Sequence, residues 1–498
     1  MSQREFSPTA QQRGSSHSSC QETSTSSLIR AKINETEAII TKATQTRYIL
    51  CRQLNDINDK TRVFPPEILS MIFVYVYDMS RVELADYVLT LGHVCSRWQD
   101  VTWSTPSLWR NLHLWIRATM RTTVLDKTLL HLKNIGHLTL KLNLRFSSCA
   151  FSEGWRHSLV FWRLHEILFN SNNSGKIGRL ELFGHFPERE WVSYISSQFS
   201  RLEYLKVHPE IRVVPSNNTV EFHNIPSLST LEIDNFGWDV SLSNTLEHIT
   251  TLVLARTSIT TCLQLLIACT NLVTFHCTNP SEGVFAIAEE DLDDFFPRTI
   301  TFSRLEDIIL DYHDNELWFE LWDRVHDLSA LRQFHWRIEP SDVFSSPGSA
   351  ARQISTILGT STSSLTALAL NGAFTWNTEF IRELFDCIDG VEILDLTVGF
   401  TTLCGVYQAL SPQGNERLLL PALKHLRISP ALPGMKISPV SSIDLLRQRM
   451  GRKKTAFRLD IFHGWPLEVR EILRELIKEG EWELELWDGD LVKEDWLY

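Results

Sequence analysis

Short stretches in which apolar and polar residues alternate recur from about residue 130 to the end of the chain. The unit is L-x-x-L-x-L or a relaxed version of it, and alternation with period two predicts a short strand with one buried face. Eleven clear units lie at residues 137–142, 179–182, 202–207, 228–233, 249–254, 272–277, 305–310, 331–336, 365–370, 391–396 and 423–428, and two weaker ones lie at 457–462 and 482–487. The fourth positions of successive units from Leu205 to Leu426 lie 21 to 34 residues apart.

Apolar helical segments lie between several of these strands, at residues 262–268, 318–325, 350–358 and 380–387. A strand followed by a helix, repeated many times, stacks into a curved parallel sheet with helices on its convex side. We therefore predict a mixed α+β and α/β fold, in which a helical module precedes an irregular leucine-rich-repeat solenoid over residues 130–498. An ordinary α/β domain with parallel strands is the alternative interpretation.

The residues at the outward positions of the strands are candidates for binding a partner, because a solenoid binds its partners with the strand surface or with loops at one rim. They are Lys206, Glu232, Val253, His276, Ile309, His335, Ala369, Asp395 and Arg427. Their chemistry is mixed, which favours a shaped protein epitope over a polyanion, and the six polar ones are the predicted substrate-binding residues. A slip of one residue would turn every side chain to the other face.

The composition of the amino-terminal part of the chain changes at Leu28, where large apolar residues begin to recur. Residues 1–27 are rich in Ser, Thr and Gln, so we predict disorder there. Residues 28–62 contain neither Pro nor Gly and predict one amphipathic helix, with a stripe formed by Ile29, Ile33, Thr36, Ile40, Ile49, Leu50, Leu54 and Ile57. Packing on its own domain is favoured over a self-associating coiled coil, because the heptads are not sustained.

A small helical module follows. Pro65 and Pro66 stand where a helix begins, and the apolar residues Ile68, Leu69, Ile72, Phe73 and Val76 then share one helix face. A second helix is predicted to carry Leu91, Val94, Cys95, Trp98 and Val101 on one face and to end near Pro106. Leu108 and Trp109 follow as apolar anchors. About fifty residues cannot bury so many large side chains alone, so the module packs on other residues or offers a face to a partner.

Three strings of this module together resemble an F-box, and most closely the F-box-like domains of the large fungal families. They are F-P-P-E-I-L-S-M-I-F, L-G-H-V-C-S-R-W-Q-D-V and S-T-P-S-L-W-R-N-L, within residues 63–115. Phe64 stands where leucine is commoner, and the insert from Tyr77 to Leu89 is somewhat long. The predicted repeats resemble the C-terminal part of many F-box proteins.

The resemblance implies a module that docks on the Skp1 adaptor of a cullin-RING ubiquitin ligase. The implied contact residues are Phe64, Pro65, Pro66, Ile68, Leu69, Ile72, Phe73, Val94, Cys95, Trp98, Leu108 and Trp109. An apolar face rimmed by Arg81, Glu83, Arg97 and Asp100 has the composition of an interface. The alternative is that the same residues are the internal core of the domain.

Composition narrows the class of protein. The chain is 43% hydrophobic and 22% charged, which is ordinary for a globular protein. No apolar run is long enough for a membrane helix and no secretory signal opens the chain, so we expect a location in the cytoplasm or nucleus. A net charge of −12 disfavours nucleic acid as the main ligand. Nine cysteines without a CxxC pair indicate buried, reduced thiols.

Motifs for catalysis are absent. No HExxH, P-loop, GxGxxG or GxSxG occurs, so the sequence supports neither an enzyme nor a metal or other cofactor. The basic segment 447–454 is interpreted as a solvated loop, with a nuclear import signal or a phosphate-binding loop as the alternatives. The acidic segment 289–294 is also interpreted as a solvated loop, with a site for a basic substrate tail as the alternative. Alternation from Glu481 to Trp487 predicts a strand that caps the solenoid, with a tryptophan hot spot as the alternative.

Three hypotheses for function follow from these features. The first is the substrate-recognition subunit of an SCF-type ubiquitin ligase, in which the F-box binds Skp1 and the solenoid binds an unidentified protein target. The second is a repeat-protein scaffold that acts outside a ligase. The third, an enzyme built on a solenoid, has the least support.

Overall fold

The structure is a computed structural model and describes residues 19–79, 87–117, 119–147, 158–184, 199–208, 219–222, 225–234, 239–242, 246–281, 297–312, 315–338, 347–361, 364–372, 376–411, 417–430, 445, 457–461, 471 and 484–487. The chain divides into two compact units, Met1–Trp109 and Arg110–Tyr498. The predictions for residues 1–18, 289–294 and 447–454, for Arg81 and Glu83, and for the residues after Trp487 lie outside the described residues.

The first unit is helical. Its helices are α1 (Ser19–Asn58), α2 (Pro66–Met79), α3 (Tyr87–Val94) and α4 (Ser96–Trp103), with 3-10 turns at Lys60–Val63 and Pro106–Trp109. Helix α1 begins nine residues before Leu28, so the disorder predicted for residues 19–27 is replaced by helix. No Pro or Gly lies between Gly14 and Pro65, so no breaker of either type stops the helix from extending through this polar segment.

The second helix of the module is two helices, which corrects the prediction of one. Cys95 has extended backbone angles (φ −154°, ψ 171°), and its sulfur accepts a hydrogen bond from the N–H of Trp98. The carboxylate of Asp56 in α1 accepts bonds from the backbone N–H of Ser96 (3.0 Å) and from its hydroxyl (2.9 Å). These partners satisfy N–H groups that the start of α4 leaves open, so the break needs no Gly or Pro.

The core of the first unit is apolar and aromatic. Its fully or nearly fully buried members are Leu69, Phe73, Val88, Leu91, Cys95, Val101, Leu108 and Trp109. The indole of Trp109 donates to the carbonyl of Thr102 (2.9 Å) and meets the ring of Trp103 edge-on at 5.1 Å. A Cβ on Gly92 would lie 2.1 Å from the Trp103 ring, so only glycine lets α3 approach that ring.

Within its described residues, the second unit is built on one parallel sheet of fourteen strands. The strands follow in chain order and are β1 (Asn111–Ile116), β2 (Leu140–Phe146), β3 (Ile177–Gly184), β4 (Tyr204–His208), β6 (Thr230–Asp234), β8 (Thr251–Ala255), β9 (Thr274–Thr278), β11 (Asp307–Asp311), β13 (Gln333–Arg337), β14 (Ala367–Gly372), β15 (Ile393–Val398), β16 (His425–Pro430), β17 (Phe457–Ile461) and β18 (Leu484–Trp487). Two further pairs are β5 (Thr219–Phe222) with β7 (Asp239–Leu242), and β10 (Ile300–Thr301) with β12 (Val325–Asp327).

Helices lie between many of these strands. They are α5 (Thr123–Asn134), α6 (Leu159–Phe169), α7 (Ser171–Ser174), α8 (Ile259–Ala268), α9 (Glu316–Asp323), α10 (Pro347–Gly359), α11 (Thr378–Asp386) and α12 (Phe400–Leu410). Local chemistry sets where they begin: Ser258, Asn315 and Asn377 each cap a helix by accepting a backbone N–H, a strong N-cap preference of these residue types.

Every predicted unit coincides with a strand of the sheet, and the four predicted helical segments overlap α8 to α11. The prediction omitted β1 and α5, because the sheet unit begins at Arg110 and not at residue 130. The strand sequence Asn-Leu-His-Leu-Trp-Ile does alternate, but all of it except Ile116 lies within residues 63–115, where the resemblance to an F-box predicts a helical module. Parallel strands with intervening helices are compatible with the predicted solenoid.

Burial alternates along most of the described strands of the sheet. In β8, for example, Leu252 and Leu254 are fully buried, whereas Thr251 and Val253 are half-buried. The buried members face the helices and form the core, together with Trp318, Trp322 and Trp336. The other members line what we call the half-exposed face of the sheet.

Candidate docking faces

Helix α2 presents an apolar face that the domain leaves uncovered. Its members recur at helical spacing and are Ile68, Met71, Ile72, Tyr75, Val76 and Met79, each between 40% and 66% exposed. We call this set the α2 face. Glu67 and Asp78 are the only charged residues of the helix. The core of the domain covers only one side of this nearly uncharged helix. The apolar residues on its exposed side therefore remain available for a partner.

The opposite side of α2 anchors the helix. Leu69 and Phe73 are 1% and 2% exposed, and the Phe73 ring packs on Trp98 at 4.7 Å between centroids. The helix that carries the α2 face is therefore held in place before binding. Little of its conformational entropy is left to lose when a partner binds.

A polar network holds the segment that enters α2. The indole of Trp98 donates to the Thr61 hydroxyl (2.8 Å), and that hydroxyl donates to Asp59. Arg97 donates to the carbonyls of Thr61 (2.7 Å) and Phe64. Burial acts to raise the pKa of Asp59, but the hydrogen bonds from Thr61 and the charge of Arg97 outweigh it and lower that pKa.

The twelve predicted contact residues divide into surface and core. Phe64, Pro65, Pro66, Ile68 and Ile72 are exposed, and Val94 and Trp98 are half-buried. Five are 2% exposed or less and belong to the core, which corrects their assignment as contacts: Leu69, Phe73, Cys95, Leu108 and Trp109. The physical reason is that a small domain uses its largest apolar side chains to bury one another first.

Several surface residues were not in the predicted set. Met71, Tyr75 and Met79 are each at least 64% exposed and extend the patch along α2, and Val63, in the 3-10 turn before the helix, is 80% exposed. The signal that points to them is the near absence of charge in P-E-I-L-S-M-I-F-V-Y-V-Y-D-M. Arg97, predicted at the polar rim, instead holds the backbone before α2.

The predicted outward positions of the strands form one continuous row. Each member is the direct cross-strand partner of the next, in the order Lys206, Glu232, Val253, His276, Ile309, His335, Ala369, Asp395 and Arg427. The first eight are half-buried and Arg427 is 7% exposed. The predicted register is therefore confirmed, and we call this set the strand row.

Charges in and beside the strand row are paired across neighbouring strands. The pairs are Lys206 with Glu232 at 2.7 Å, His276 with Asp307 at 3.2 Å, and Arg427 with Asp395 at 4.0 Å. Next to the row, Asp234 accepts from both His208 (2.6 Å) and Arg256 (2.8 Å). The row thus has no charge of one sign along its length, as the mixed chemistry of the sequence indicated.

Tyr204 and His335 are among the titratable groups of this face that have displaced pKa values. Burial, and then the hydrogen bond with Glu232, raise the pKa of Tyr204, so that its hydroxyl stays protonated. The charge of Arg179, whose guanidinium lies 3.5 Å from the Tyr204 ring centre, works against that rise. Burial lowers the pKa of His335 and favours its neutral form.

A cation–aromatic cluster lies at the β1 end of the half-exposed face and was not predicted. Trp115, Arg145 and Phe183 are successive cross-strand partners. The Arg145 guanidinium lies 5.8 Å from the Trp115 ring and 5.2 Å from the Phe183 ring, and Arg117 lies 5.4 Å from Trp115. Trp115 is 48% exposed, and exposed Trp beside Arg is the composition of an interface hot spot.

Cys262, Cys269 and Cys277 are buried thiols, and burial raises the pKa of Cys269 to about 12. Among the described residues, no three His, Cys, Asp or Glu side chains are grouped so that they could hold a metal ion. Within the same ranges, no helix combines the length and the apolarity that a membrane crossing requires.

Comparison with known proteins adds one finding to this geometry. A family model described as F-box-like matches residues 63–115, the segment that carries the α2 face. None of the curated proteins matches the chain. The helical module is therefore an F-box-like domain, followed by a region of parallel strands and helices.

Proposed function

We propose that this protein is the substrate-recognition subunit of an SCF-type ubiquitin ligase, with the α2 face as its docking site for the Skp1 adaptor. The observation that carries the proposal is the coincidence of the F-box-like match with an uncovered, nearly uncharged apolar face. Such a face has the apolar centre expected of a protein interface. Binding an adaptor that belongs to a cullin-RING ligase would give the chain its place in ubiquitin transfer.

The protein itself needs no catalytic group in this role. Ubiquitin transfer takes place on other subunits, and the receptor contributes by holding the target near them, which replaces a bimolecular encounter. The role implies no cofactor and a location in the cytoplasm or nucleus. Nucleic acid and membrane have no part in it.

We propose that the half-exposed face of a leucine-rich-repeat-like solenoid binds the protein target. The paired charges of the strand row favour a folded or extended protein surface over a polyanion, because few unpaired cations point outward. The Trp115 cluster supplies the aromatic and arginine side chains that dominate binding energy in protein interfaces. The strand row contributes the other predicted binding residues, which are Lys206, Glu232, His276, His335, Asp395 and Arg427.

The test is co-expression of the full chain with Skp1, followed by co-purification. Ile72→Asp places a charge in the centre of the α2 face and should weaken binding by about 30-fold or more, the effect of a hot-spot residue. Leu129→Asp is the matched control, because Leu129 is an equally exposed apolar residue of α5 in the other unit. Unchanged co-purification of the Ile72 variant would contradict the proposal.

The scaffold hypothesis is separated by a second readout of the same complex. A ligase subunit should bring a cullin into the pull-down through Skp1, and the Ile72→Asp change should remove both proteins together. A scaffold that acts outside a ligase would retain Skp1 and recruit no cullin.

A further inference from the structure

Helix α1 carries an exposed stripe whose spacing alternates between four and three residues. Its members are Ile29, Ile33, Thr36, Ile40, Ala43, Arg47, Leu50, Leu54 and Ile57, and all of them are exposed. We call this set the α1 seam. The large apolar residues alone leave gaps, which is why the sequence did not favour a coiled coil. With Thr36 and Ala43 included, the heptad positions a and d continue through about four heptads.

Thr36 and Ala43, which lie between the large apolar residues of the seam, are compatible with an apolar interface. The Thr36 hydroxyl donates to the carbonyl of Lys32 (2.8 Å) within the helix, so its methyl group remains for packing. Ala43 is small and apolar, and it lies in a shallow groove that Ile39 and Leu50 also line. Side chains of a facing helix fill such grooves as knobs in holes.

Helix α1 meets the rest of its own unit on its other side. Asn55 donates to the carbonyl of Val94 (2.7 Å), Asp56 bonds Ser96 at 2.9 and 3.0 Å, and Tyr48 bonds His93. Tyr48 precedes Leu50 by two residues, a rotation of about 200° around the helix. The contacts with α3 and α4 therefore leave the seam uncovered.

We propose that a second copy of this chain covers the α1 seam, in a parallel two-stranded coiled coil. The arrangement needs only the helix itself and is independent of the function proposed for the α2 face. A symmetric pair buries Ile29, Ile33, Ile40, Leu50 and Leu54 of both chains against their equivalents, which removes the exposed apolar stripe from water.

Charge favours the parallel orientation. Lys32 lies at a g position and Glu37 at the e position five residues later. In a parallel pair, the g residue of one helix faces that e residue of the other, so Lys32 meets Glu37 of the second copy, twice by symmetry. An antiparallel pair aligned on the same seam does not bring these two residues together.

Arg47 favours a coiled coil of two helices over one of three or four. It is the one charged residue at an a position of the seam, and a single polar a residue specifies register and oligomer state at a cost in stability. In a two-stranded coil its long stem can pack on the seam while the guanidinium reaches water at the side. A trimer or tetramer would enclose that charge more completely.

The test is sedimentation equilibrium of the full chain at micromolar concentration. The wild-type protein should have twice the 57.4 kDa mass of one chain. Leu50→Lys with Leu54→Lys should raise the dimer dissociation constant at least about a hundredfold, because four charges enter the seam. Ile49→Lys is the control, since Ile49 is also an exposed apolar residue of α1 (47%, against 59% for Leu50) but lies off the seam. The control should remain dimeric.

Orientation is tested by reversing charges. Lys32→Glu and Glu37→Lys should each weaken the dimer, and the two together should restore it, because only a parallel pair exchanges these partners. A monomeric wild-type chain, or a dimer that the seam change leaves intact, would overturn the proposal. Binding of the variants to Skp1 is a separate readout, so failure of the seam and failure of the docking face can be distinguished.

Discussion

At the scale of single residues, His335 shows what position in a sheet does to a side chain. Its imidazole is half-buried in the middle of the strand row, where burial lowers its pKa from the ordinary value of 6.5. Asp307 acts to raise that pKa, while His276 and Arg337 act with burial. Folding therefore favours the neutral imidazole, whereas the unfolded chain takes up a proton as the pH falls through 6.5.

This linkage gives a pH prediction. Because the unfolded state binds the proton more tightly, His335 makes stability fall as the pH drops below about 6.5, and the fall ends near the lower folded pKa. His335→Gln removes the effect. Urea unfolding at pH 8 and at pH 5.5 should show that the stability of wild type relative to the variant decreases at the lower pH. An equal difference at both values would contradict the assigned shift.

The strand row could be predicted from the sequence because strand periodicity is local. Once Leu231 and Leu252 are placed inward, the residue after each must point outward, and parallel pairing in chain order aligns them. The break at Cys95 could not be predicted this way. The start of α4 is capped by the Cys95 sulfur together with Asp56, which lies forty residues before Ser96, and cysteine is not a residue type that sequence patterns assign to a helix cap.

At the scale of elements, α2 has two apolar faces with different tasks. Leu69 and Phe73 hold the helix to its domain, whereas Ile68 and Ile72, one position earlier in each case, lie on the exposed side. The sequence showed that the helix was apolar but not which side was inward, because both sides have the composition of a core. Contacts with Trp98 decide it, and they depend on tertiary structure.

The two faces predict different responses to the same kind of substitution. Leu69→Ala removes a buried side chain and should cost about 2–5 kcal/mol of unfolding free energy. Ile72→Ala, on the exposed side, should change stability by about 0.5 kcal/mol or less. Denaturant unfolding of the two variants measures both. Equal costs at the two positions would show that the α2 face is packed against other residues.

At the scale of the whole molecule, the chain consists of two compact units whose surfaces differ in chemistry. The F-box-like domain carries an apolar face with little charge, and the parallel sheet carries a long surface of mixed and paired charge. In the proposed function, the apolar face binds the Skp1 adaptor and the sheet surface binds the protein target. The parallel strands of the sheet could be predicted from the repeat spacing, whereas its start at β1 could not, since that strand overlaps the end of the F-box-like match.

Hydrogen–deuterium exchange of the full chain, with and without Skp1, tests the division between these faces most directly. The account predicts that Skp1 slows amide exchange in residues 64–79, which contain α2, and leaves the strands from β4 to β16 unchanged. Slowed exchange in the strands, or none in α2, would contradict it.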